Sequence, residues 1–164
     1  LHRWSVNHLE EFWGGCFDFF GIKSTSPVKH VLKRRGSMIS EVDWFVGAEV
    51  NLAETLLRHA RGHAKKTAIA AFGETAASRA SVTFEELFLR VGALQKSLQR
   101  LGVKKGTVVA ALLPNVIEAA VIMLAVTACG GVWCALGPDL GQDIVMARLG
   151  QVNAHMLFVT QSYR

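Results

Sequence analysis

The chain has 164 residues, 51% of them hydrophobic, and a formal net charge of +5 at neutral pH. That length and composition suffice for one domain with a sizeable core. The basic residues fall in small scattered groups (Lys33-Arg34-Arg35, Arg58 with Arg61, Lys65-Lys66, Lys104-Lys105), which reads as solvated surface charge and argues against the concentrated basic stripe of a nucleic-acid binder.

Residues 5–20 read as one amphipathic helix, because Val6, Leu9, Phe12, Trp13, Cys16, Phe17 and Phe20 recur on one face. Ser5 stands at its start and Gly21 at its end. The aromatic face predicts core packing against a large surface. Residues 21–43 look irregular, with Val28, Val31 and Leu32 hinting at a short strand or a turn of helix. The block Trp44-Phe45-Val46-Gly47 follows, and the stretch from Ala48 to His59 reads as partly helical with Asn51 as its cap. Residues 60–66 form a polar, basic connector.

From Thr67 the texture changes. Ala68 to Phe72 reads as a strand, residues 73–80 as a turn and Ser81 to Thr83 as the returning strand of a hairpin. Thr83 and Glu86 have capping-box spacing. The helix they open places Phe84, Leu87, Phe88, Val91, Leu94, Leu98 and Leu101 on one side and ends at Gly102, where a left-handed residue is wanted. Thr107 to Leu113 is a continuous apolar run, as expected for a strand buried on both faces of a parallel sheet. Pro114-Asn115 ends it, and Asn115 with Glu118 reads as a second cap for a helix reaching about Cys129. Gly130-Gly131 turns the chain into a further buried strand, Val132 to Leu136. A helix over Gln142–Val152 and a last strand from His155 to Thr160 complete the order.

Strand, helix, strand, helix, strand from Thr107 predicts an α/β fold, with part of a doubly wound parallel sheet following an N-terminal helical and irregular extension. The expected domains are residues 1–66 and 67–164. Ligands of such sheets bind at the carboxyl ends of the strands. Leu113-Pro114-Asn115, Gly137-Pro138-Asp139 and Gln161-Ser162-Tyr163-Arg164 fall at those ends.

No recognised catalytic motif stands at these positions. The sequence has no G-x-x-x-x-G-K-[ST] loop, no G-x-G-x-x-G after a strand, no serine nucleophile elbow and no H-E-x-x-H. His59 and His63, four apart, are the one histidine pair with ligand-like spacing, and they read as surface or packing residues rather than a metal site. Asp139 after Pro138 reads as a turn and cap device, and Glu54 as an i,i+4 partner of Arg58. No catalytic residue and no metal ligand is therefore assigned. Cys16, Cys129 and Cys134 lack zinc spacing and imply a reducing, intracellular setting, taken as the cytosol. Val116 to Leu136 carries one charge over the length of a membrane span, but Gly130-Gly131 breaks it, so a buried helix and strand are expected there and no span. No apolar signal region opens the chain. Its start at Leu1 and its end at Arg164 read as cuts in a longer protein.

Several passages together carry a resemblance. Trp4-Ser5-Val6 with Phe12-Trp13 and Asp18-Phe19-Phe20-Gly21-Ile22, then Trp44-Phe45-x-Gly47 with Asn51-x-Ala53-Glu54-x-Leu56-Leu57-Arg58-His59, look like the opening blocks of the AMP-forming acyl-CoA synthetases, most closely of those acting on acetoacetate. Val82-Thr83-Phe84-Glu85-Glu86-Leu87, Leu101-Gly102-Val103-x-x-Gly106, Leu113-Pro114-Asn115, Gly131-Val132-Trp133, Pro138-Asp139-Leu140-Gly141 and Arg148-Leu149-x-Gln151 follow in the family's order. The resemblance implies that residues 67–164 are the first part of the large domain of an adenylate-forming enzyme. It implies an acid–thiol ligase that converts acetoacetate, ATP and coenzyme A to acetoacetyl-CoA, AMP and diphosphate through an acyl-adenylate, with Mg2+. The family's phosphate loop, adenine motif and catalytic lysine would lie beyond Arg164, so the chain alone is expected to be inactive and to bind none of these tightly. Arg164 falls where related synthetases place an arginine near the phosphates of coenzyme A. Cys134-Ala135-Leu136-Gly137 replaces polar positions of the family, Leu52 stands for a usual Tyr, Thr55 for a usual Asn, and Gly106-Thr107 lacks the usual acid after Gly. The alternatives are an acetyl- or propionyl-CoA synthetase relative, or a truncated, non-catalytic homologue serving as an interaction module.

Overall fold

The computed structural model describes residues 1–73 and 79–161, the side chain of Ile39 excepted. Two compact units divide the chain, Leu1–Asn51 and Leu52–Arg164.

In the first unit the expected single helix is two, α1 (His2–Asn7) and α2 (Leu9–Phe19). The chain leaves helical geometry at His8 (φ −130°, ψ 61°). The break has an aromatic cause. In a straight helix Trp4 and Phe12 would stand about 12 Å apart along the axis, whereas here their rings meet edge to face at 5.1 Å. The indole Nε1 of Trp4 also donates to Glu11 at 3.3 Å. Gly14 and Gly15 weaken α2 intrinsically, but a Cβ on Gly14 would lie 3.3 Å from Val31, so the glycine admits a close approach of the next strand.

Residues 21–43 are less irregular than expected. β1 (His30–Arg34) pairs antiparallel with β2 (Val42–Val46), with Leu32 opposite Trp44. A three-residue 3-10 turn, Ile39–Glu41, joins them. The Glu41 carboxylate accepts the Met38 N–H at 3.0 Å, and Arg35 Nε donates to Asp43 at 2.9 Å. The Trp44-Phe45 block packs on α2: Trp44 lies edge-on to Trp13 at 5.9 Å and Phe45 stacks on Phe17 at 5.0 Å.

The second unit opens with α3 (Leu52–Leu57) and the single turn α4 (Ala60–His63), which occupies part of the expected connector. Ala53 is fully buried in the main hydrophobic core and Leu57 belongs to the same cluster, so the unit's contacts begin well ahead of residue 67. β3 (Thr67–Ala71) and β4 (Ala80–Thr83) form the expected antiparallel hairpin. α5 (Phe84–Arg100) starts at the expected capping box. The Glu86 N–H donates to Thr83 Oγ1 at 3.2 Å, and the Thr83 N–H donates to the Glu86 carboxylate at 2.8 Å. Those bonds hold the Glu86 carboxyl below its ordinary value, the Thr83 backbone N–H contributing most. At the other end Gly102 is left-handed (φ +88°) and the Val103 N–H reaches back to the Leu98 carbonyl at 2.9 Å. Leu87, Val91 and Leu98 face the core, while Phe88 and Leu101, expected on the same side, are exposed.

β5 (Val108–Leu112) is the centre of a three-stranded parallel sheet of order β6-β5-β7, with β6 at Val132–Leu136 and β7 at Met156–Val159. Val109 pairs with Trp133 on one side and Met156 on the other. α6 (Ile117–Ala128) joins β5 to β6 and α7 (Gln142–Val152) joins β6 to β7. The two crossovers run in opposite directions along the sheet, so right-handed connections put α6 and α7 on opposite faces. α6 is apolar on nearly every side, Glu118 at its first turn excepted, because it packs against α5, α3 and β6.

Two expectations fail here. Asn115 does not cap α6: the N-cap residue is Val116, with no side-chain cap bond, because the chain makes a tight turn in which the Val116 N–H returns to the Pro114 carbonyl at 2.9 Å. β6 is not fully buried: Val132 and Ala135 are exposed, and in β7 Leu157 and Val159 are exposed while Met156 and Phe158 are partly covered, the alternation of a strand with one face uncovered. Among the described residues no helix is long and apolar enough to cross a membrane.

Candidate ligand-binding edge of the parallel sheet

The loops that leave β5 and β6 diverge toward different faces of the sheet. This is the geometry that opens a crevice at the carboxyl ends of parallel strands. The Leu113 N–H still reaches the Leu136 carbonyl at 3.4 Å, so the strands separate just past that point. Pro114 then forces the chain away from the ladder, since it has no N–H to donate.

Clefts open on both sides of this loop. One, of 370 Å3, lies between β3 and the ends of β5 and β6, and its walls include Ile69, Ala71, Pro114, Asn115, Trp133 and Ala135. The other, of 380 Å3, lies between the ends of β5 and β7 and is walled by Pro114, Val116, Glu118, Ile122, Phe158 and Thr160. A more polar hollow of 510 Å3 sits at the opposite, amino ends of the strands, beside Thr107, Asn153 and His155. The first two fall where the sequence places ligand binding. Their linings are mostly apolar, with Asn115, Glu118 and Thr160 as polar exceptions, so they suit the uncharged part of a ligand and contain no nucleophile paired with a base.

After β6 the chain turns at Gly137-Pro138-Asp139-Leu140, closed by a bond from the Leu140 N–H to the Gly137 carbonyl at 3.2 Å. The Asp139 carboxylate folds over Gly137 and fills the space a Cβ there would need. Asp139 therefore sits in the turn, as expected, but does not cap α7, whose N-cap residue is Gly141 with no side-chain cap bond. Gln161 is the last described residue at the third strand end; Arg164, the one candidate coenzyme contact, lies outside the described residues together with Ser162 and Tyr163.

His59 and His63 face each other at 6.1 Å between ring centroids, and His59 leans on Phe84 at 5.6 Å. Among the described residues no group of three or more His, Cys, Asp and Glu could hold a metal ion. The three cysteines are free. Cys129 Sγ donates to the Gln95 carbonyl at 3.7 Å, and burial pushes its thiol up from the ordinary 9.0, away from the reactive thiolate. Sequence reasoning missed the contribution of β3 and Trp133 to the first cleft. Those residues lie within strands, and nothing in a strand's own pattern reports which loop its side chains will adjoin.

Residues 56–164 match the family model of AMP-binding enzymes. The chain belongs to the AMP-binding enzyme family. Residues 1–56 match the model of the acetyl-coenzyme A synthetase N-terminus. Among curated members, the acetoacetyl-CoA synthetase of Xenopus tropicalis is 33% identical over 162 residues, which is 99% of this chain and 24% of that protein. The malonamoyl-CoA synthetase of Penicillium aethiopicum is 32% identical over 160 residues, 96% of this chain and 22% of that one. The structure of acetoacetyl-CoA synthetase from Streptomyces lividans superimposes with a TM-score of 0.92 at 38% identity, over 100% of this chain and 25% of that one. A more distant member of the fold, the structure of IdnL1, gives 0.62 at 22% identity over 70% of this chain. The chain thus spans about a quarter of the length of the family members it matches.

Proposed function

We propose that this chain is the N-terminal part of an AMP-forming acetoacetate–CoA ligase. The observation that carries the reading is the agreement with the Streptomyces lividans acetoacetyl-CoA synthetase structure over the whole chain, both units included. The chemistry has a simple physical motive. A carboxylate oxygen is a poor leaving group, so the acid first attacks the α-phosphorus of ATP, forming the acyl-adenylate and releasing diphosphate. The thiol sulfur of coenzyme A then attacks the acyl carbon, the thiol gives up its proton, and AMP leaves with the former carboxylate oxygen. Mg2+ would neutralise the phosphate charge in the first step.

Within that enzyme this chain supplies scaffold and one edge of the ligand crevice. The apolar clefts beside Pro114 would border uncharged parts of the reactants, while the groups that activate ATP belong to the remainder of the protein. Arg164 is our candidate for holding phosphate of coenzyme A, since a guanidinium presents several fixed donors to phosphate oxygens. The free cysteines support a reducing, cytosolic location.

The test is acetoacetate-dependent AMP release by the full-length protein, alongside the 164-residue chain alone. Release by the intact protein and none by the chain is the expected pair of results; an intact protein that releases no AMP with acetoacetate defeats the reading. Arg164→Ala in the intact enzyme should raise KM for coenzyme A while leaving acetoacetate-dependent ATP–diphosphate exchange unchanged. The malonamoyl-CoA synthetase relative supports a second substrate, malonamate, which shares with acetoacetate a carbonyl β to the carboxylate. A panel of acetoacetate, malonamate, acetate and propionate separates these, with kcat/KM as the readout.

A further inference from the structure

We draw no further inference here: the strongest candidate, the apolar cleft between β3 and the carboxyl ends of β5 and β6, belongs to the site already described, and nothing in the structure shows what covers it.

Discussion

Phe45 stacks on Phe17 with ring centroids 5.0 Å apart and planes 28° from parallel, and it does so from a left-handed backbone (φ +46°). A bulky residue rarely adopts that conformation, which costs about 1–3 kcal/mol. The ring contact with α2 offsets the strain, and the left-handed Gly47 (φ +89°) completes the turn out of β2. Phe45→Ala should therefore lower stability, by about 2 kcal/mol for a half-buried ring. A double-mutant cycle with Phe17→Ala in urea should give a coupling of about 1 kcal/mol. Additive losses would show that the stacking contributes nothing of its own.

The capping box at α5 makes a prediction with a pH signature. Thr83→Ala removes the acceptor for the Glu86 N–H and should cost about 1 kcal/mol. Glu86 contributes through its ionised form, because its folded carboxyl is held below the ordinary 4.5. A depressed acid stabilises the fold above its unfolded value, and the contribution disappears as pH falls through the lower folded value. The stability difference between wild type and Glu86→Gln should thus be constant near neutrality and shrink below about pH 4.5. Denaturation midpoints measured across that range decide it, and a difference independent of pH would mean that charge plays no part in the cap.

Gly131 makes the tightest fit at the α6–β6 turn. A Cβ there would lie 2.9 Å from Val126 Cγ1 and 3.1 Å from the carbonyl oxygens of Thr107 and Val126. Two of those neighbours are backbone, and the Val126 side chain is fully buried, so none yields easily. Gly131→Ala should destabilise by about 1–3 kcal/mol. Gly92→Ala, on α5 with open space around it, should be neutral or stabilising by up to about 1 kcal/mol. Thermal unfolding of the two variants side by side tests the contrast, and equal effects would rule out the steric reading.

The outer strands predict how the isolated chain behaves. Among the described residues β6 and β7 each leave one edge unpaired, with Val132 and Val159 exposed, and such edges template pairing with other chains. The 164-residue chain should associate in sedimentation experiments, and Val132→Lys with Val159→Lys should shift it toward monomer. A wild-type chain that stays monomeric at high concentration would overturn this.

What the sequence revealed followed the range of the forces involved. The α5 cap and its left-handed end at Gly102 rest on contacts within a few residues and the β3–β4 hairpin on pairs no more than 16 apart (Thr67 to Thr83), and all were readable. The three parallel strands were readable because each is a short apolar run between turn signals. The break at His8 was not, since it depends on Trp4 meeting Phe12 and no single position announces it. Strand β2 was hidden because Trp44 and Phe45 look equally suited to a helix face. Asn115 has the right chemistry for a cap but the wrong backbone, which the Pro114 turn decides. Exposure of β6 depends on what covers the faces of the sheet, a global property that no local pattern encodes. The same limit applies to the site: strand ends were located correctly, but the walls brought from β3 were not.

The strand order β6-β5-β7 has a consequence for assembly. The central strand lies about twice as far in sequence from β7 as from β6, so loop closure favours the β5–β6 pair before β7 docks. Until Met156–Val159 arrives, one flank of β5 has no hydrogen-bond partner from the sheet. The last strand therefore works as a lock on the innermost one, and a chain ending before Met156 would keep its helices and hairpins yet lose protection from hydrogen exchange at β5 first.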